Sequence, residues 1–102
     1  MKIIELNATD WTTYDDFYDA LLPSLGAPTW HGKNINALVD SMIWGGINAL
    51  EPPYTIKIVG AATLPDHIRN HVETAKHALA KARTDYQKLR GGDVEVAIDV
   101  ES

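Results

Sequence analysis

Three short β-branched segments, separated by stretches of helical periodicity, predict an α/β fold: a small three-stranded parallel sheet packed with three to four helices. Lys2–Leu6 (KIIEL), Tyr54–Val59 (YTIKIV) and Val94–Val100 (VEVAIDV) are the strand candidates, rich in Ile and Val and bounded by turn formers. A helical stretch lies in each connection, so each connection is a crossover and the strands run parallel. The chain has 102 residues, 45% hydrophobic and 23% charged, which suits one core and one domain over residues 1–102.

The last strand alternates, with Val94, Val96, Ile98 and Val100 on one face and Glu95, Ala97 and Asp99 on the other. That is a strand with one side buried. The first helix is expected to open at Thr13, with Asp16 three residues on as its capping-box partner. Phe17, Leu21 and Leu25 follow at helical spacing, and Pro23 predicts a kink or an early stop. The last helical stretch is expected to open with a second box, Thr63 to Asp66. Ile68, Val72, Ala75, Leu79, Ala82, Tyr86 and Leu89 then alternate spacings of four and three up to the stop signal Gly91-Gly92. One helix over 64–89 would be ~39 Å long, so either it breaks near Asn70–Glu73 or its end projects past the sheet.

Charge and composition remove several function classes. The formal charge is −5: residues 1–50 carry six acids against Lys2 and Lys33, and residues 51–102 carry eight acids against seven bases. An acidic chain is not a nucleic-acid binder, whose recognition starts from a basic patch, and it is steered toward basic partners. There is no cysteine, so neither a disulfide framework nor a thiol nucleophile is available. No apolar run is long enough for a membrane helix or a secretory leader, and a cytoplasmic location is expected. Neither a phosphate-cradling glycine loop nor a nucleophile elbow is present. His67 and His71 have metal-like i, i+4 spacing but lack a third ligand, so they read as a solvated helix face with no metal. No cofactor and no catalytic residue is expected.

The informative stretch is Pro28–Gly46, PTWHGKNINALVDSMIWGG. Over 34–44 as a helix, Ile35, Leu38 and Met42 form the buried stripe. Asn36, Asp40 and Trp44 line a second stripe, with Val39 and Ile43 beside it. Trp30 and His31 come from the loop leading into this helix and are read as outward, while Trp44 is left open between core and interface. Two indoles, an imidazole, a carboxylate and a carboxamide on one surface, with no nucleophile or second acid, match the central anchors of a protein interface better than a catalytic site.

WHGKNINALVDS resembles the barstar family, whose pattern is an aromatic pair, Gly, one residue, Asn, then Leu-Asp-Ala-Leu-Trp-Asp. GGINALEPPY (45–54) is similar to the longer loop of a bacterial branch of that family, and the closing GGDVEVAI and the element order fit it too. The resemblance implies a small cytoplasmic inhibitor or immunity protein that covers the active site of a ribonuclease toxin with its 30–44 surface. It places Asp40 at the family's principal acid, Trp30 and His31 at the aromatic pair, and Asn34 at the family's Asn. Asn36 stands where the family has a second acid, Val39 replaces an interface Trp, and Lys33 replaces Glu. The acids expected late in the last helix become Tyr86 and Arg90, with Asp85 adjacent. The expected partner surface is therefore Trp30, His31, Asn34, Asn36, Val39, Asp40, Ile43 and Trp44, facing a basic ribonuclease or other toxin protein. A non-catalytic interaction module with a non-nuclease partner is the alternative.

Overall fold

The computed structural model describes residues 2–101. The chain runs β1 (Lys2–Asn7), α1 (Tyr14–Ser24), α2 (Ile35–Val39) continuing into a π-helical turn (Asp40–Trp44), and β2 (Tyr54–Val59). A 3-10 turn (Ala61–Thr63), α3 (Asp66–Arg90) and β3 (Val96–Val100) complete it. The three strands form one parallel sheet, as expected, in the order β1-β2-β3. Lys2 pairs with Tyr54 and Asn7 with Val59; on the other side Tyr54 pairs with Val96 and Ile58 with Val100.

Side-chain alternation decides where the core lies. Tyr54, Ile56 and Ile58 of β2, Leu6 of β1, and Val96 and Ile98 of β3 are buried on one face. They meet Phe17, Tyr18, Leu21 and Leu25 around α1, Leu38 and Met42, and the inner stripe of α3. On the opposite face Ile3, Glu5 and Asp99 are exposed. Helices therefore cover one side only, which explains why β1 and β3 alternate rather than run continuously apolar.

The first capping box forms as expected. Thr13 Oγ1 accepts from the Asp16 N–H at 3.2 Å, and Asp16 Oδ2 accepts from the Thr13 and Thr12 N–H groups at 3.1 and 2.8 Å. Those backbone donors hold the Asp16 carboxyl below its ordinary value of 3.8. Helix α1 ends at Ser24, one residue past Pro23, so the proline marks an early stop.

The second expected box does not form. Thr63 lies in the 3-10 turn, and its hydroxyl donates to Gly60 O and Thr9 O at 3.3 and 3.4 Å. Helix α3 starts two residues later, on Pro65, without a side-chain cap. It then runs unbroken for 25 residues, so the chain has no break near Asn70–Glu73. At 1.5 Å per residue this is ~38 Å, close to the 39 Å long axis of the molecule. Its buried stripe ends at Ala82; Tyr86 is half-buried and Leu89 exposed, so the last turns project. Gly91, at φ +74°, closes the helix in the left-handed region that side chains avoid.

Strand β3 begins at Val96, two residues later than the alternation predicts. Asp93 accounts for the delay. It accepts from the Glu95 N–H at 3.0 Å while the Arg83 guanidinium grips it through two bonds of 2.7 and 2.5 Å. Glu95 is held at φ +56°, outside extended strand geometry, although its carbonyl still accepts from the Tyr54 N–H at 3.1 Å and Val94 stays buried. Arg83 and the Glu95 N–H hold the Asp93 carboxyl well below the usual carboxylate range. His71 is held below its ordinary 6.5 by burial.

All three shifts are depressions, and they have the same consequence for stability. A group whose folded value is depressed contributes stability that is present above its unfolded value and is lost as pH falls through the folded one. Stability should therefore decline as pH falls below 6.5 through His71, and again below 3.8 through Asp16 and Asp93. Melting temperatures between pH 7 and 2 check this. The decline below pH 4 should be smaller in Asp93→Asn, and an undiminished decline would remove Asp93 from the account.

Candidate functional site

Two structural pieces position the face carried by 28–46. The first is a turn in which His31 N–H donates to Pro28 O at 3.0 Å, which places Trp30 at the tip. Trp30 is 71% exposed. The second is the helix. Asn34 caps it by accepting from the Ala37 N–H at 2.8 Å, so this side chain orders the start of α2 while remaining exposed. Gly32 lets the turn lie against that cap, since a Cβ there would come within 2.9 Å of Asn34 Nδ2.

After Val39 the helix widens: Gly45 N–H donates to Asp40 O at 2.9 Å, an i→i+5 bond. Gly45 then leaves the helix at φ +76° and ψ −169°, a backbone that side chains rarely adopt. The wider turn advances each residue through a smaller angle than an α-helix does. Ser41, Met42 and Ile43 consequently all face the core, while Asp40 and Trp44 stay outside.

This placement corrects two expectations. Ile43, expected beside the outward stripe, is buried at 2% because the π turn rotates it inward. His31, expected to face outward, is buried at 7% because both ring nitrogens are engaged: Nδ1 with Gly32 O at 2.7 Å and Nε2 with Ser41 Oγ at 2.8 Å. Trp44 divides itself: it is 40% exposed and rests on Tyr86 with ring centroids 5.4 Å apart. Asn36 is exposed and Val39 half-buried.

A groove of about 540 Å³ runs between α2 and α3. Val39, Ala78 and Ala82 supply apolar wall, and Asn36, Asp40, Trp44, Lys81 and Asp85 supply the polar and aromatic remainder. Sequence reasoning named Asp85 only as a neighbour of a family position and passed over Lys81. The heptad-like seam of α3 was the available signal, since both residues flank its buried positions 79 and 82 and the half-buried 86. Lys81 Nζ reaches Asp85 Oδ2 at 3.2 Å, and Lys33 Nζ reaches Asp19 Oδ1 at 2.9 Å. Asp19 and Asp15 raise the Lys33 ammonium above its usual value, chiefly through the Asp19 hydrogen bond. Among the described residues Asp40 enters no hydrogen bond or ion pair through its side chain, so the face keeps one uncommitted carboxylate.

A profile of the family described as Barstar (barnase inhibitor) matches residues 1–99. The chain belongs to the barstar family. No curated protein matches it individually. Barstar-family membership makes it a member of an inhibitor family whose description names a ribonuclease partner, barnase. No helix is long and apolar enough to cross a membrane among the described residues.

The histidine pair on α3 is taken up by packing. Tyr18 Oη bonds His71 Nε2 at 2.7 Å, and the Tyr14 ring lies 4.6 Å from His71 and 5.6 Å from His67. Among the described residues no group of three His, Cys, Asp or Glu is placed to hold a metal ion.

Proposed function

We propose that this chain inhibits a ribonuclease toxin as a bacterial immunity-type protein of the cytoplasm. It covers the toxin's active site with the face carrying Trp30, Asn34, Asn36, Val39, Asp40 and Trp44. In this reading His31 and Ile43 act from beneath, without touching the partner. The observation that carries it is the uncommitted Asp40 carboxylate, on the rim of an apolar-walled groove, in a chain of a ribonuclease-inhibitor family. An RNA-cleaving site must hold phosphate and is therefore cationic, and such a surface would meet Asp40 while Trp30 and Trp44 supply apolar anchors. The chain contributes no chemistry of its own.

The test is capture of the native partner, followed by an RNA-cleavage assay of that partner with and without this protein. Cleavage should stop at equimolar inhibitor. A captured partner that cleaves no RNA would favour the second reading, a non-catalytic module for another protein. Val39 is what supports that alternative, because it gives the groove an apolar side where an ionic interface would carry charge. Lys33 and Lys81 already neutralise Asp19 and Asp85, so the salt dependence of association should be shallow. Stopped-flow association rates at low and physiological salt check this, and a steep fall would contradict it.

A further inference from the structure

His31 and Ser41 are both buried, and their polar side chains are bonded to each other. Burying such groups is costly unless they are paired, so a pair retained at this position has a structural consequence. The consequence follows from where each one sits. Ser41 follows Asp40 in the π turn, and His31 follows Trp30 in the Pro28–His31 turn. Trp30 makes no ring contact of its own with another aromatic side chain among the described residues, so its position rests on that backbone turn.

The backbone partner places a proton on Nδ1. Gly32 O can only accept, so Nδ1 carries the ring proton and donates to it at 2.7 Å. Nε2 pairs with the Ser41 hydroxyl oxygen at 2.8 Å. Leu38 O lies 3.2 Å from the same hydroxyl and keeps Ser41 oriented in the helix. The imidazole thus ties the turn carrying Trp30 to the turn carrying Asp40.

We propose that His31 and Ser41 are positioning residues, forming a latch that holds the Trp30 turn in register with Asp40 before any partner arrives. The inference rests on the reading of this face as the inhibitory surface. An exposed turn that must be ordered on binding loses affinity, and a latch removes that loss in advance.

The first test uses the free protein, so it does not depend on the partner. In ¹⁵N-labelled protein the heteronuclear NOE of the Trp30 indole should fall in Ser41→Ala, while those of Trp11 and Trp44 stay unchanged. Ser41→Ala removes one oxygen atom and keeps the fold testable if His31→Phe, which keeps an aromatic ring but is larger, does not fold. An unchanged Trp30 NOE in a folded Ser41→Ala protein overturns the latch. The second readout is a double-mutant cycle on the ribonuclease identified by the capture assay. Ser41→Ala should raise the dissociation rate ~10-fold in the parent and little in a Trp30→Ala background. Equal losses in both backgrounds would overturn action through Trp30. If the parent protein inhibits no ribonuclease, the proposed function falls and the NOE measurement still decides the latch.

Discussion

Asp40→Ala should weaken inhibition of the target ribonuclease by roughly 30-fold or more, and Trp30→Ala by a similar factor, the losses that mark interface hot spots. Both side chains are free to serve a partner because the fold does not use them. Asp40 contributes its carbonyl to the π turn, and alanine keeps that carbonyl and suits a helix. Its carboxylate has no partner among the described residues, so truncation should leave stability within about 0.5 kcal/mol of the parent. Trp30, at the tip of an exposed turn, should be equally neutral in the free protein. Inhibition titrations alongside melting curves check both halves of the prediction. Asp40→Asn separates charge from size: if the carboxylate meets a cationic site, Asn should fail nearly as badly as Ala. Full inhibition by Asp40→Ala and Trp30→Ala would remove this face from the account.

The sequence was most readable where one periodicity held throughout an element. The strand pattern of Tyr54–Val59, the box at Thr13 and Asp16, and the four-three spacing of Ile68 to Ala82 all correspond to observed elements, because burial on one face imposes a regular repeat. The errors fell where the repeat changed. Ile43 was assigned outward by α-helical counting, but the i→i+5 bond closing on Asp40 alters the angle per residue, and nothing in DSMIW announces that widening. His31 looked available for a partner because a loop histidine is usually solvated. Its burial depends on a bond to Ser41, ten residues on, which no local pattern records. Thr63 matched a capping box, yet the preceding 3-10 turn drew its hydroxyl to Gly60 and Thr9. Asp85 and Lys81 were hidden for a different reason: the groove they line arises only when α2 is laid against α3. Trp44 could not be settled from sequence because it is partly packed on Tyr86 and partly exposed.

Leu38→Ala should lower stability by ~2–5 kcal/mol, a large part of the ~5–15 kcal/mol that holds a domain of this kind together. Helix α2 is only five residues long, and a helix that short has no stability of its own in water. It exists because Leu38, with no exposed surface, and Met42, almost none, fasten it over the core. Removing Leu38 leaves a cavity beneath the segment that carries Asn36, Val39 and Asp40. The melting temperature should drop by roughly 10–30 °C, and a drop of only a degree or two would contradict this placement of Leu38. The neighbouring substitution should behave in the opposite way. Val39 is half-buried along the groove, so Val39→Ala should cost little stability while weakening partner binding. Adjacent residues with inverted effects on stability and binding would separate the inward stripe of this short helix from its outward one. That separation requires Leu38→Ala to retain inhibition at temperatures where it remains folded, because the face that meets the partner does not include Leu38.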